Sequence, residues 1–364
     1  MLVVRREVSL KEPTVGGDEV GVKGSTIREW LEEKEKSLSP YAAKSKNSRG
    51  RQKRETPCPV RTEFQRDRDR IIHCKSFRRL KHKTQVFIAP SGDHYVTRLT
   101  HTLEVAQVAR TIARALNLNE DLTEATALGH DLGHTPFGHV GEVVLNGLSS
   151  SGFRHNEQSL RVVDLLEKDG QGLNLTWEVR DGILKHSKSR EDILGKEWGI
   201  AETLEGQICK IADIVAYVNH DIGDAIRAGL ITEADLPASA LRVLGSTHSE
   251  RINTMVCDII YHSVSTMEGR KPAIGMSATV QEAASMLREF LFSKVYEPCS
   301  QREESQNAKR ALRLLHTHFL DHEDELPPEF TVHSDNAEQR VLDYIAGMTD
   351  NFALQRAETI QGRQ

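Results

Sequence analysis

The stretch Gly129-His-Asp-Leu-Gly-His-Thr-Pro-Phe-Gly-His139 decides how the rest of this chain is read. It holds a contiguous histidine–aspartate pair, His130-Asp131, at the end of a segment with helical periodicity. Leu122, Ala125 and Leu128 fall on one face, and Asn119 stands where an N-cap belongs. Gly133 and Pro136 then stop that helix. Imidazole nitrogens and carboxylate oxygens suit a divalent first-row metal that keeps water in its open positions. Such a metal can make a nucleophile from water near neutral pH and polarise a phosphoryl oxygen.

Working outward, two more ligand candidates lie on helical segments. His101 sits in 98–116, where Leu99, Leu103, Ala106, Ala109, Ala113 and Leu116 form an apolar stripe. Asp213 sits in 202–220 between Ile211-Ala212 and Ile214-Val215, and a carboxylate among such neighbours needs a partner. His101, His130, Asp131 and Asp213 together read as a metal site. Asp213, Tyr217 and Asp221 recur every four residues and share a helix face. That face could pack on and hydrogen-bond a sugar, or Tyr217 could be a half-buried core tyrosine; spacing does not choose. His139 and Glu142 are three apart, so the carboxylate can orient the imidazole, either for protonation of a leaving oxygen or as surface hydrogen bonding.

Further helical patterns occupy 27–36, 61–80, 251–265, 278–295, 305–320 and 335–348, while Thr84 to Ile88 is the best strand candidate. The expectation is an all-α fold with few or no strands. Four segments are expected: a disordered extension over 1–25, a basic helical segment over 26–96, a metal-binding helical core over 97–225, and further helices of the same unit over 226–364. No apolar run reaches the roughly 18–20 residues that span a bilayer, and the N-terminus lacks a secretory pattern. The five cysteines are scattered without a Cys-x-x-Cys, which argues against a disulfide framework. A cytoplasmic protein without a membrane partner is expected. The net charge of −5 conceals a local balance of +11 between Lys44 and Lys83. That block suits an anionic ligand, or equally a solvated face or subunit contact.

The wider pattern resembles the HD-domain deoxynucleoside triphosphate triphosphohydrolases, the dGTPase-like family. The match runs through Phe64-Gln-Arg-Asp-Arg-Asp-Arg-Ile-Ile-His73, Phe77-Arg-Arg-Leu-Lys-His-Lys-Thr-Gln-Val-Phe87, Thr97-Arg-Leu-Thr-His101, the 129–139 stretch, His155-Asn-Glu-Gln158, Tyr217-Val-Asn-His-Asp221 and Asp343-Tyr-Ile-Ala-Gly-Met-Thr-Asp350. The resemblance implies an HD helical bundle and hydrolysis of a dNTP at the α-phosphate, giving a deoxynucleoside and inorganic triphosphate. It implies that His101, His130, Asp131 and Asp213 hold Mn²⁺, Mg²⁺ or another first-row ion such as Fe, Co, Ni or Zn. It makes His139 the acid with Glu142 as partner, and has His134 and His155 contact or position phosphates. Arg98 would bind phosphate, and Gln85, Tyr217 and Asp221 would surround the deoxyribose. A homo-oligomer, a nucleotide effector and contact with single-stranded nucleic acid are also implied. Ile214 and Gly223 depart from residues common in relatives, which bears on base preference and effector response.

Two other HD readings and one protease reading compete. Another HD nucleotide phosphohydrolase or phosphodiesterase lacks a use for the His139–Glu142 and Tyr217–Asp221 pairs. A non-catalytic, metal-stabilised module binding nucleic acid through its arginines would lose stability but no hydrolysis in Asp213→Ala. His130-Asp-Leu-Gly-His134 imitates a zincin motif, but that needs both histidines on an unbroken helix.

Overall fold

Cap residues set where each principal helix begins. Thr62 opens α2 (Glu63–His73) and Thr97 opens α3 (Arg98–Ala115), each with a reciprocal capping box, while Thr26 does the same for α1 (Ile27–Lys34). Asn119 accepts from Leu122 N at the start of α4 (Glu120–Gly129), as its sequence position predicts. There follow α5 (Gly138–Leu148), α6 (His155–Arg161), α7 (Trp177–Lys185), α8 (Leu204–Arg227), α9 (Ala238–Leu244), α10 (His248–Met267), α11 (Ala278–Leu291), α12 (Glu303–Asp321), α13 (Ala337–Ala346) and α14 (Asp350–Gln361). The structure is a computed structural model and describes residues 25–88, 94–187, 199–269, 272–331, 334 and 336–363. The extension expected over 1–25 lies outside the described residues but for residue 25.

The fold is all-α, and no strand forms among the described residues. The strand expected over Thr84–Ile88 is not there: Thr84 makes one isolated bridge to Thr97. The helix expected over 61–80 is broken at Cys74, whose extended backbone ends α2 and whose Sγ accepts from Phe77 N to start a five-residue helix, Lys75–Arg79. The helices α5, α6 and α7 were not legible, because each is short and lies beside glycine-rich loops.

Two apolar cores organise the helices. The larger contains Phe64 and Ile71 of α2, Val105 and Ile112 of α3, Leu122 of α4, Val179 of α7, Ile208 and Val215 of α8, and Leu287 of α11, all buried. The second joins Val144 and Leu145 of α5 to Leu312, Leu315 and Phe319 of α12, Val341 and Ile345 of α13, and Ala353 and Ile360 of α14. The C-terminal helices therefore bury their apolar faces against the helix that carries His139. Burial of this kind is worth about 25 cal/mol per Å² of apolar surface.

Part of the positive block over 44–83 is paired within the molecule. Arg51 pairs with Asp67 and Glu63, Arg66 with Glu63 and Glu55, Arg68 with Asp121 and Glu124, Arg61 with Asp69, and Lys75 with Asp169. Lys83 is buried and donates from Nζ to His134 O at 2.5 Å and Ala346 O at 2.8 Å. Some of these cations thus hold helices together, while others, among them Lys46, Lys53, Arg54, Arg78 and Lys81, face solvent.

Candidate active site

The end of α4 and the starts of α3 and α6 meet the middle of α8 around one cleft. His130 follows α4 with helical backbone angles, and its Nδ1 donates to Ala127 O at 2.6 Å. A carbonyl partner fixes the proton on Nδ1 and leaves Nε2 with a bare lone pair. That Nε2 is buried, has no hydrogen-bond partner among the described residues, and lies 3.6 Å from Asp131 Oδ1. His101 Nε2 stands 3.9 Å from Asp131 Oδ2 and 3.3 Å from Asp213 Oδ1. Ligand atoms around a bond of about 2.1 Å sit roughly 3 Å apart, so His101, His130 and Asp131, with Asp213 approaching from α8, are spaced to hold a divalent ion.

The electrostatics favour ligation. Burial pulls His101 down to about 4, against the opposing pull of Asp213, so its imidazole is neutral. Burial alone would raise Asp131, but His130 and Arg98 overcome it and hold the carboxyl well below its ordinary value. Arg98 Nη1 donates to Asp131 Oδ2 at 2.6 Å, and Arg98 Nε to Thr84 O at 3.1 Å. The side chain expected to bind phosphate is therefore first a clamp on Asp131, although it also lines the cleft.

A second group lies beside the first. Glu142 accepts from His155 Nδ1 at 2.7 Å and from His155 N at 2.8 Å, and its other oxygen is 3.3 Å from His139 Nδ1. The dyad expected from spacing is thus a carboxylate shared by two histidines. Burial opposes its charge, yet His155 and His139 keep Glu142 well below the carboxylate range. Burial likewise opposes protonation of His155, but Glu142 raises it above an ordinary histidine. His134 is fully buried, stacks on His155 with centroids 4.9 Å apart, and has neither nitrogen paired among the described residues. Burial keeps it neutral. The His139 side chain, by contrast, is 67% exposed.

The loop joining these groups depends on backbone that side chains resist. Phe137 adopts φ 62° and Gly138 φ 56°; a Cβ on Gly138 would come within 2.8 Å of Gln85 O. Asp350 holds the turn from outside, accepting from Phe137 N at 2.9 Å, Thr84 N at 3.0 Å and the Thr84 hydroxyl.

The cleft has about 770 Å³ of empty space, partly open to solvent, and Gln85, Arg98, His101, Asp131, His134, His139, His155, Asp213, Tyr217 and Asp221 all line it. His130 and Glu142 stand behind that wall. Gln85 Oε1 is buried without a partner among the described residues. Burial pushes the Tyr217 hydroxyl up, against the neighbouring Arg288. Sequence reasoning missed His186, Arg288, Phe292 and Tyr296, which also line the cleft. Arg288, Phe292 and Tyr296 recur every four residues where α11 widens into a π-helical turn, Phe292–Tyr296, the same signal that exposed the Asp213 face. His186 has no such signature. Its Nε2 is 3.1 Å from His155 Nε2, and with His155 and Asp131 it forms another group close enough to share an ion.

Among known proteins, the HD domain matches residues 98–218 and the phosphohydrolase-associated domain residues 274–359. A protein of Caldanaerobacter subterraneus subsp. tengcongensis is 57% identical over 337 residues, covering 92% of this chain and 95% of its own. One of Desulfatibacillum aliphaticivorans is 50% identical over 348 residues, covering 92% and 98%. One of Clostridium tetani is 49% identical over 322 residues, covering 87% and 91%. All three bear the description deoxyguanosinetriphosphate triphosphohydrolase-like protein.

Proposed function

Since the chain belongs to the deoxyguanosinetriphosphate triphosphohydrolase-like family and carries its HD domain, we propose that it hydrolyses dNTPs to a deoxynucleoside and inorganic triphosphate. The observation that carries the reading is one cleft lined by ion ligands, an imidazole acid and the Tyr217–Asp221 face. His101, His130, Asp131 and Asp213 would hold the divalent ion. Bound there, the ion supplies Lewis acidity toward the α-phosphate and activation of water. Arg98 keeps Asp131 charged and oriented, and its remaining N–H groups meet phosphate. His134, neutral and unpaired, and His155 orient the phosphate chain. Water's oxygen bonds the α-phosphorus while the bond to the 5′ oxygen breaks; His139, oriented by Glu142, gives that oxygen its proton, and the proton water loses passes to solvent, from which His139 regains its own. Gln85 and Asp221 hydrogen-bond the sugar, and Tyr217 occupies the volume a 2′-hydroxyl would need.

Another HD phosphodiesterase would form a different product. Each dNTP, singly and mixed, is incubated with the protein and Mn²⁺ or Mg²⁺, and products are separated by chromatography. Triphosphate plus deoxynucleoside is expected, with ribonucleotides turned over far more slowly. Pyrophosphate plus monophosphate, or no turnover of any dNTP, rules the reading out.

A further inference from the structure

His220 plays no part in that scheme, although it is 3% exposed on α8 directly before Asp221. Its Nε2 lies 2.8 Å from His101 Nδ1, and the two rings meet edge-on with centroids 5.0 Å apart. His101 directs its other nitrogen, Nε2, at Asp213 and Asp131. An imidazole that gives Nε2 to a cation carries its proton on Nδ1. His101 Nδ1–H therefore donates and His220 Nε2 accepts. The His220 proton is then on Nδ1, which sits 2.8 Å from Asp221 Oδ1 in a close contact off the N–H axis. Asp221 Oδ2 accepts from the Tyr296 hydroxyl at 2.5 Å. Hydrogen bonds join Tyr296 to Asp221 and His101 to His220, and the close His220–Asp221 contact between them is electrostatic, so the chain runs from the cleft wall at Tyr296 and Asp221 to an ion ligand.

We infer that His220 is a positioning residue: it fixes His101 as an Nε2 ligand and couples hydroxyl binding at Asp221 to the ion. A partner behind a ligating histidine sets its tautomer and raises its basicity, and losing such a partner typically costs about 10- to 100-fold in metal affinity. Here the partner is a second imidazole with a carboxylate behind it. A sugar hydroxyl donating to Asp221 draws off part of that carboxylate's charge. His220 and then His101 become less basic, so the ion becomes more electrophilic when the sugar is seated. By linkage, the ion also alters the affinity for the hydroxyl. The coupling half rests on Asp221 facing the sugar, as proposed above; the positioning half does not.

The test uses the full chain stripped of metal, with Co²⁺ binding followed by calorimetry and visible absorption, and thermal melting as the control for folding. His220→Phe, which removes the acceptor, is expected to weaken Co²⁺ binding about 10- to 100-fold. His220→Gln, whose amide oxygen can still accept from His101, recovers most of it. If His220→Phe melts early, Asp221→Asn serves, and a severalfold weaker Co²⁺ affinity is expected. 2′-Deoxyguanosine should shift the Co²⁺ spectrum of the wild type but not of His220→Gln, and 2′,3′-dideoxyguanosine should shift neither. Wild-type Co²⁺ affinity in His220→Phe at an unchanged melting temperature overturns the positioning role. A shift that survives in His220→Gln overturns the coupling. No spectral response in the wild type while calorimetry shows deoxyguanosine to bind overturns the coupling alone, no binding of deoxyguanosine overturns the sugar reading, and an impaired His220→Phe supports the positioning role in either case.

Discussion

At the residue scale, the proposed ligands are buried and the proposed acid is exposed, so substitutions should separate their roles. His139→Ala is expected to lower kcat by roughly 10²- to 10⁴-fold while Mn²⁺ binding, measured by calorimetry, stays intact. Asp131→Asn should abolish both. Both variants leave Arg98, 3% exposed, without its carboxylate and should destabilise the fold by about 3–5 kcal/mol, Asp131→Ala the more because asparagine Oδ1 can still accept from Arg98 Nη1. Unfolding in urea compares the two Asp131 variants. The cluster of His101, His130, Asp131 and Asp213 was legible because His130 and Asp131 are adjacent and because Asp213 stands among aliphatic residues, where a charge needs a reason. His186 and His220 were not legible: their roles come from approach of separate helices, which spacing along the chain does not encode.

At the element scale, Glu205 ties three pieces together from the first turn of α8. Its Oε1 accepts from Ala43 N at 3.0 Å and from Asn119 N, at the cap of α4, at 2.9 Å, while Oε2 has no partner among the described residues. Burial raises its carboxyl to about 7. The folded chain then holds a proton that the unfolded chain releases near 4.5, so this group makes stability fall as pH rises from about 4.5 to about 7. Glu205→Gln keeps the Oε1 acceptor and removes the titration. Its stability advantage over wild type, from urea unfolding at pH 5 and pH 8, should grow with pH toward a ceiling of about 3 kcal/mol. A pH-independent difference would contradict this. Gly133 is a second joint: a Cβ there would lie 2.1 Å from Ser159 N and 2.3 Å from Gln158 C, backbone of α6. Gly133→Ala should cost about 3 kcal/mol and, by prising His130 and His134 from α6, weaken Mn²⁺ binding. The helices α3, α4 and α8 were legible from their apolar stripes, and for α4 the Asn119 cap agreed with the period. The break at Cys74 was not, because either side of it keeps an amphipathic pattern.

At the scale of the whole molecule, the C-terminal helices complete the site rather than merely adjoin it. Arg288, Phe292 and Tyr296 wall the cleft, and Asp350 holds Thr84 and Phe137. Asp350→Ala should leave Mn²⁺ affinity near wild type while lowering kcat about tenfold or more, because loosening the 134–139 loop misplaces His139 by a distance to which proton transfer is sensitive. Equal loss of metal binding would show that the loop and the ligands are not separable. The sequence announced helices in this region but not their purpose, since an aspartate at residue 350 acquires meaning only from a loop more than two hundred residues away.

That long reach also orders the protein's birth. The Asp350–Thr84 contact crosses 266 positions, and Lys83 needs the carbonyl of Ala346. A chain leaving the ribosome has His101, His130, Asp131 and Asp213 in hand long before those residues are made, and domains fold as they emerge. A nascent polypeptide would therefore gather the proposed ion ligands early but could not set the strained turn beside them until residue 350 had emerged, so the proposed hydrolysis would wait for that one aspartate.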